Sequence, residues 1–192
     1  MRLILLLAVT FTGLLARPEH HGHRRSDIQD IKRRNMELPQ TREGDCPPMW
    51  TDASSVGLGC ILIDINDMGT DEVHAEELCA SFEGGRLLEI YTGDQMSFLQ
   101  TLLTDKEEQL GITDGFIWYW LGLNDIAEEG QWVWPSGAAA EFTYWDEEME
   151  EPYPDPDHER NCAMMQSAQF NLMWGTYWCD DGYDMVPMCQ IL

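Results

Sequence analysis

Positive charge is nearly absent from residues 45–192, where Arg86, Lys106 and Arg160 stand against 30 acidic residues for a net charge of about −27. A field of that sign repels nucleic acid and anionic membranes, which excludes both as partners and favours cations, basic proteins or positively charged mineral faces. The chain also lacks any N-x-S/T sequon, so no N-linked glycan is expected to mask this surface. Beyond the first residues it has no apolar run long enough to cross a bilayer, and a membrane anchor is not expected. No nucleophile–base constellation is visible. A pair such as Glu147 and Glu151 has the residue types of a glycosidase, but carboxylates are so abundant that pairs arise by chance, and no enzyme is read here.

What is present divides the chain into three parts. Arg2 followed by the apolar run Leu3 to Leu15, with Ala16 as a small residue, reads as a removed secretory signal over 1–16; at about thirteen residues the run is too short for an anchor. Residues 17–44 form a basic, flexible N-terminal segment with seven of the 11 Lys and Arg residues. It contains His20, His21 and His23, but no carboxylate or thiol is spaced to complete a metal site. A short helix from Ser26 to Leu38 is marginal by itself; Arg24-Arg25 and Lys32-Arg33-Arg34 have the form of processing sites for a secretory-pathway protease, but such basic runs are common in solvated linkers and cleavage is not expected. The 44% apolar composition supplies a real core for one domain, placed at 45–192. All six cysteines fall in it, and an even count behind a signal sequence reads as disulfides, with fifteen possible pairings.

The stretch Trp120 to Gly137, WLGLNDIAEEGQWVWPSG, organises the domain. It reads as a strand, an acidic turn at Asn124-Asp125, and a second strand through Trp132 and Trp134. Its three tryptophans imply a large buried aromatic hub whose indole N–H groups need partners. Downstream of Cys60, the run to Ile65 alternates like a strand. Thr70 or Asp71 then caps a helix with Val73, Leu78 and Phe82 inward and Glu72, Glu76 and Glu77 outward, ending at Gly84-Gly85. Thr92-Gly93-Asp94 opens a second helix with Met96, Leu99, Leu102 and Leu103 at core positions. From Tyr144 to Glu159 the chain is acidic and proline-rich, which excludes a helix or central strand and leaves a long loop of the kind that carries function.

The motif W-x-G-L-N-D followed by E-G-Q-W-x-W-x-x-G resembles the C-type lectin-like domain family in its long, secreted single-domain form. The cysteine order, the double glycine and the long loop extend the resemblance over essentially all of 45–192. It implies an α+β fold of two helices with antiparallel strands, a long irregular loop and three disulfides, Cys46–Cys60, Cys79–Cys189 and Cys162–Cys179. It also implies a non-catalytic recognition module for extracellular glycan or protein ligands. The alternative is an acidic matrix protein that uses the fold as a scaffold to present carboxylates to calcium, mineral or cationic partners.

Calcium takes oxygen ligands converging from several segments. By the resemblance, the sugar-binding ion lies between a loop triplet, a further glutamate and a Trp-Asn-Asp triplet before a cysteine. Here the loop triplet is Glu151-Pro152-Tyr153, the second is Trp174-Gly175-Thr176, and Glu159 or Arg160 stands at the loop glutamate. Only Glu151 matches, so the sugar site is expected to be degenerate. At the auxiliary calcium site Asp125 and Glu129 match, with Asp155, Asp157 or Glu159 available to complete the shell, which leaves residual calcium binding as an expectation.

Overall fold

The computed structural model of the chain describes residues 46–65, 68–112, 117–147, 159–182 and 185–192. The expected signal, the basic segment, and the loop residues Glu151, Tyr153, Asp155 and Asp157 lie outside the described residues. Seven strands and two helices follow in order: β1 (Thr51–Asp52), β2 (Cys60–Ile63), α1 (Glu72–Ala80), β3 (Gly85–Leu87), α2 (Gly93–Leu110), β4 (Trp118–Asn124), β5 (Cys162–Met165), β6 (Trp174–Tyr177) and β7 (Met185–Ile191). They form one sheet in the order β1-β2-β7-β4-β5-β6, with β3 also pairing β7. All pairs are antiparallel except β4 with β7, where Trp118, Tyr119 and Trp120 run parallel to Met185, Val186 and Pro187. The sheet is therefore mixed rather than purely antiparallel.

Side chains alternate between the two faces of a strand, and here both faces are covered. Ile61 and Ile63, Tyr119, Leu121 and Leu123, Ala163 and Met165, and Val186 and Met188 pack with Met96, Leu99 and Leu103 of α2. Leu62, Trp120, Cys162, Met164, Met185 and Cys189 pack with Ala75, Leu78 and Cys79 of α1. The tryptophans consequently do not make a single hub: Trp120 belongs to the α1 side, while Trp134 and Trp174 belong to the α2 side. Nor does a second regular strand follow β4. Val133 bridges Asn124 and Ala139 one residue at a time, because Pro135 lacks an N–H and the chain turns at once through Gly137. That close return explains Gly122, where an added Cβ would stand 2.6 Å from the Pro135 ring.

Both helix starts are built as their sequences imply. Asp71 caps α1 by accepting from the His74 N–H at 2.9 Å, and Thr92 caps α2 by accepting from the Gln95 N–H at 3.2 Å. The inner face of α1 differs from expectation: Val73 is 55% exposed and Glu72 only 5%. The Glu72 N–H donates to the Cys179 carbonyl at 3.0 Å, which pulls that position under the 179–182 segment and turns Val73 outward.

The three disulfides are Cys46–Cys60, Cys79–Cys189 and Cys162–Cys179. The second joins α1 to β7 across 110 residues of sequence, a closure worth roughly 4–5 kcal/mol by chain entropy.

Candidate functional site

The chain leaves β4 through a tight acidic turn. Asp125 is buried, its N–H donates to the Asn161 carbonyl at 3.1 Å, and its Oδ2 accepts from the Gly130 N–H at 2.8 Å. The Glu128 N–H donates to the Asp125 carbonyl at 3.2 Å, and the Gln131 N–H to the Glu128 carbonyl at 2.9 Å. Asp125 therefore holds the turn and ties it to the residue before β5. Glu129 sits on the exposed rim of the turn, and Glu159 is exposed two residues before Asn161. Glu151 and Asp155 lie outside the described residues. Among the described residues no three His, Cys, Asp or Glu side chains are grouped so as to hold a metal ion.

The second expected segment is β6. Trp174, Gly175 and Thr176 pair with Met165, Met164 and Ala163 of β5. The Trp174 ring is fully buried, with edge contacts to Trp134, Phe142 and Trp145 at centroid distances of 5.9, 5.9 and 5.7 Å. A ligand would meet the strand around this ring rather than the ring. Thr176 is 4% exposed and offers a neutral hydroxyl, while Gly175 offers no side chain. Calcium draws its affinity from the number and charge of its oxygen ligands, and these two positions supply one buried neutral hydroxyl and no carboxylate.

Several polar features were not legible in the sequence. The Arg160 guanidinium lies 5.7 Å from the ring centroid of Trp178, a half-exposed side chain just before Cys179. Buried Glu89 accepts from the Tyr91 hydroxyl at 2.6 Å and the Ser136 N–H at 2.7 Å, with Arg86 at 3.7 Å. It joins the end of β3 to the turn after Trp134. Buried Glu107 on α2 accepts from the Tyr119 hydroxyl at 2.9 Å and from the Ala168 N–H. Burial raises the Glu107 carboxyl above its ordinary range, and it raises the Tyr119 hydroxyl too. Glu72 is pushed up to about 7, first by burial and then by the charges of Glu76 and Asp71. Glu72 stands beside Asp71 and exposed Val73, and Glu107 between Lys106 and Glu108, so nothing local marks either as buried, whereas Glu89 lies between the buried Leu88 and Ile90.

Two helices against opposite faces of a mixed sheet, locked by a disulfide from the first helix to the last strand, define the C-type lectin-like fold. The chain belongs to that family: the model of the lectin C-type domain matches residues 72–189. The chain is 33% identical over 128 residues to the alpha-N-acetylgalactosamine-specific lectin of Patiria pectinifera, covering 63% of this chain and 68% of that one. Human lithostathine has a similar fold, with a TM-score of 0.61 at 22% identity over 81% of this chain and 95% of its own. So does a calcium-independent type II antifreeze protein, with a TM-score of 0.55 at 19% identity over 79% and 97%. Across curated relatives the chain spans from 16% to 86% of the relative's own length.

Proposed function

We propose that this chain is a secreted, non-catalytic recognition module that binds extracellular glycan or protein ligands without the calcium-bridged sugar contact usual in its family. The observation that carries the reading is β6: where two oxygen-bearing side chains would hold the ion, Gly175 has none and Thr176 is a buried neutral hydroxyl. Glycan recognition is supported by family membership and by the relative whose name states specificity for alpha-N-acetylgalactosamine. Secretion is supported by the 1–16 leader and by three disulfides, which persist in oxidising compartments. No helix among the described residues is long and apolar enough to cross a membrane. In this reading 17–44 is a basic tail and 45–192 the recognition domain.

A residual calcium belongs to the Asp125 turn rather than to β6. Asp125 and Glu129 would hold it together with Glu151, Asp155 or Glu159, and its chemistry there is charge neutralisation of an acidic loop. The second reading, a scaffold that presents carboxylates to mineral or cationic partners, is favoured by one observation, the 30 acidic residues of 45–192. A glycan array probed with and without calcium separates the two. Sugar-specific binding that survives chelation supports the first reading. Binding to no glycan, with retention of basic proteins at low salt only, supports the second.

A further inference from the structure

The hairpin after the acidic turn contains a cleft that includes none of the expected calcium ligands, although Gly130 and Gln131, which close that turn, stand at its edge. It has a volume of about 310 Å³ and is lined by Gln131, Trp132, Val133, Ala139, Ala140 and Thr143, next to Gly130. Its walls are fixed by backbone pairing. The Ala140 N–H donates to the Trp132 carbonyl at 3.1 Å, the Trp134 N–H donates to the Ala138 carbonyl at 2.9 Å, and Val133 bridges both Asn124 and Ala139. Trp132 is only partly buried, and its ring is held by an edge contact to Trp145 at 5.0 Å; Trp145 in turn meets the fully buried Trp174 at 5.7 Å. The Trp132 ring is thus joined to the core by a chain of aromatic contacts.

We propose that this cleft is a saccharide subsite that operates without calcium. The proposal rests on the glycan-recognition reading and adds to it the place and the ligand chemistry. Charge decides the occupant: in a domain of about −27, the residues lining the cleft include no ionisable side chain. A basic peptide would find no carboxylate inside it, whereas a neutral ligand avoids burying one. The lining includes one aromatic residue, Trp132, and two residues whose side chains both donate and accept, Gln131 and Thr143. An apolar face beside a few neutral polar groups matches a pyranose ring, which carries C–H bonds on one face and hydroxyls around its edge. Ligand pockets run from about 300 to 1,000 Å³, so this cleft takes one sugar unit. Ala139 and Ala140 line it with side chains of a single methyl group each.

The test is an NMR titration of the full mature chain in chelator. N-acetylgalactosamine, galactose and mannose are added separately, and the backbone and indole N–H resonances are followed. The expected result is a saturable, millimolar shift for at least one sugar, confined to the Trp132 indole and to residues 130–143. Ala139→Phe, which adds a ring at an exposed lining position, should weaken that binding by about tenfold or more, and Thr143→Val severalfold, with the remaining spectrum unchanged. Shifts outside 130–143, or binding unaltered in Ala139→Phe, overturn the subsite while leaving glycan recognition standing. Binding that requires calcium also overturns it. If the cleft responds to a lysine-rich peptide and to no sugar, the saccharide assignment is wrong. A blank result with all three sugars, joined to a blank glycan array, removes both the subsite and the glycan reading.

Discussion

The indole of Trp120 donates from Nε1 to the carbonyl of Thr70 at 2.6 Å, in the interior between β4 and the start of α1. Thr70 immediately precedes the cap residue Asp71, so the contact joins the central strand to the point where α1 begins. Trp120→Phe keeps an aromatic ring but removes the donor and part of the volume, leaving a buried carbonyl unpaired. We expect a loss of about 2–4 kcal/mol in urea unfolding. A change below about 0.5 kcal/mol would show that the carbonyl finds water and that this hydrogen bond does not hold α1 in place.

Glu72 makes stability depend on pH in the opposite sense from a paired carboxylate. Its folded pKa of about 7 lies above the ordinary 4.5, so between those values the folded chain holds a proton that the unfolded chain releases. Above pH 7 both states are ionised and the folded state bears the full cost of a buried charge. Below pH 4.5 both are protonated and that cost is absent. Glu72→Gln should therefore stabilise the protein at pH 8 by roughly 1–3 kcal/mol, and the gain should vanish near pH 4.5. The comparison is made between variant and parent at each pH, because repulsion across the whole acidic surface also relaxes on acidification. An equal gain at both pH values would assign the effect to general charge reduction.

Much of the architecture was legible because some residues have few physical alternatives. Side-chain chemistry marks Thr92 as a helix cap and narrows the other cap to Thr70 or Asp71, of which the fold uses Asp71, and the glycine of W-x-G-L is required by the Pro135 ring against it. The disulfide partners became readable through motif order, since spacing alone leaves fifteen pairings. The first turn of α1 was not legible, although Leu78 is inward and Glu76 and Glu77 are outward as expected. Glu72 and Val73 are adjacent on the helix, and which one turns inward is decided by the distant Cys179 carbonyl. The same holds for Glu89 and Glu107, whose partners Ser136 and Ala168 are 47 and 61 residues away. For the proposed site, Asp125 and Glu129 were readable as a turn pair. That Asp125 already caps Gly130 follows only from the folded geometry.

Calcium should raise thermal stability through the acidic turn, since a ligand that binds only the folded state stabilises it by mass action. Asp125→Asn/Glu129→Gln removes two charges but leaves an oxygen at position 125 to accept from Gly130, so the turn itself should persist. The parent is expected to gain several degrees in Tm at millimolar calcium, and the double variant much less. Equal gains in the two proteins, reproduced by magnesium, would mean generic screening of the acidic surface.

The degenerate sugar site can be challenged by restoring it. In Tyr153→Asn/Gly175→Asn/Thr176→Asp the new aspartate occupies a position only 4% exposed. An uncompensated charge there costs several kcal/mol unless a cation neutralises it. The variant should accordingly be less stable than the parent in chelator and recover much of the loss in calcium, whereas parent stability should respond to calcium only through the turn at Asp125. Retention on a mannose column, released by chelator, is expected of the variant and not of the parent. Retention of the parent on mannose or galactose, with release by chelator, would refute the reading of β6 as unable to hold the ion. A variant destabilised equally with and without calcium would show that Glu151 and Glu159 do not reach the strand, and the proposed ligand set would have to be abandoned.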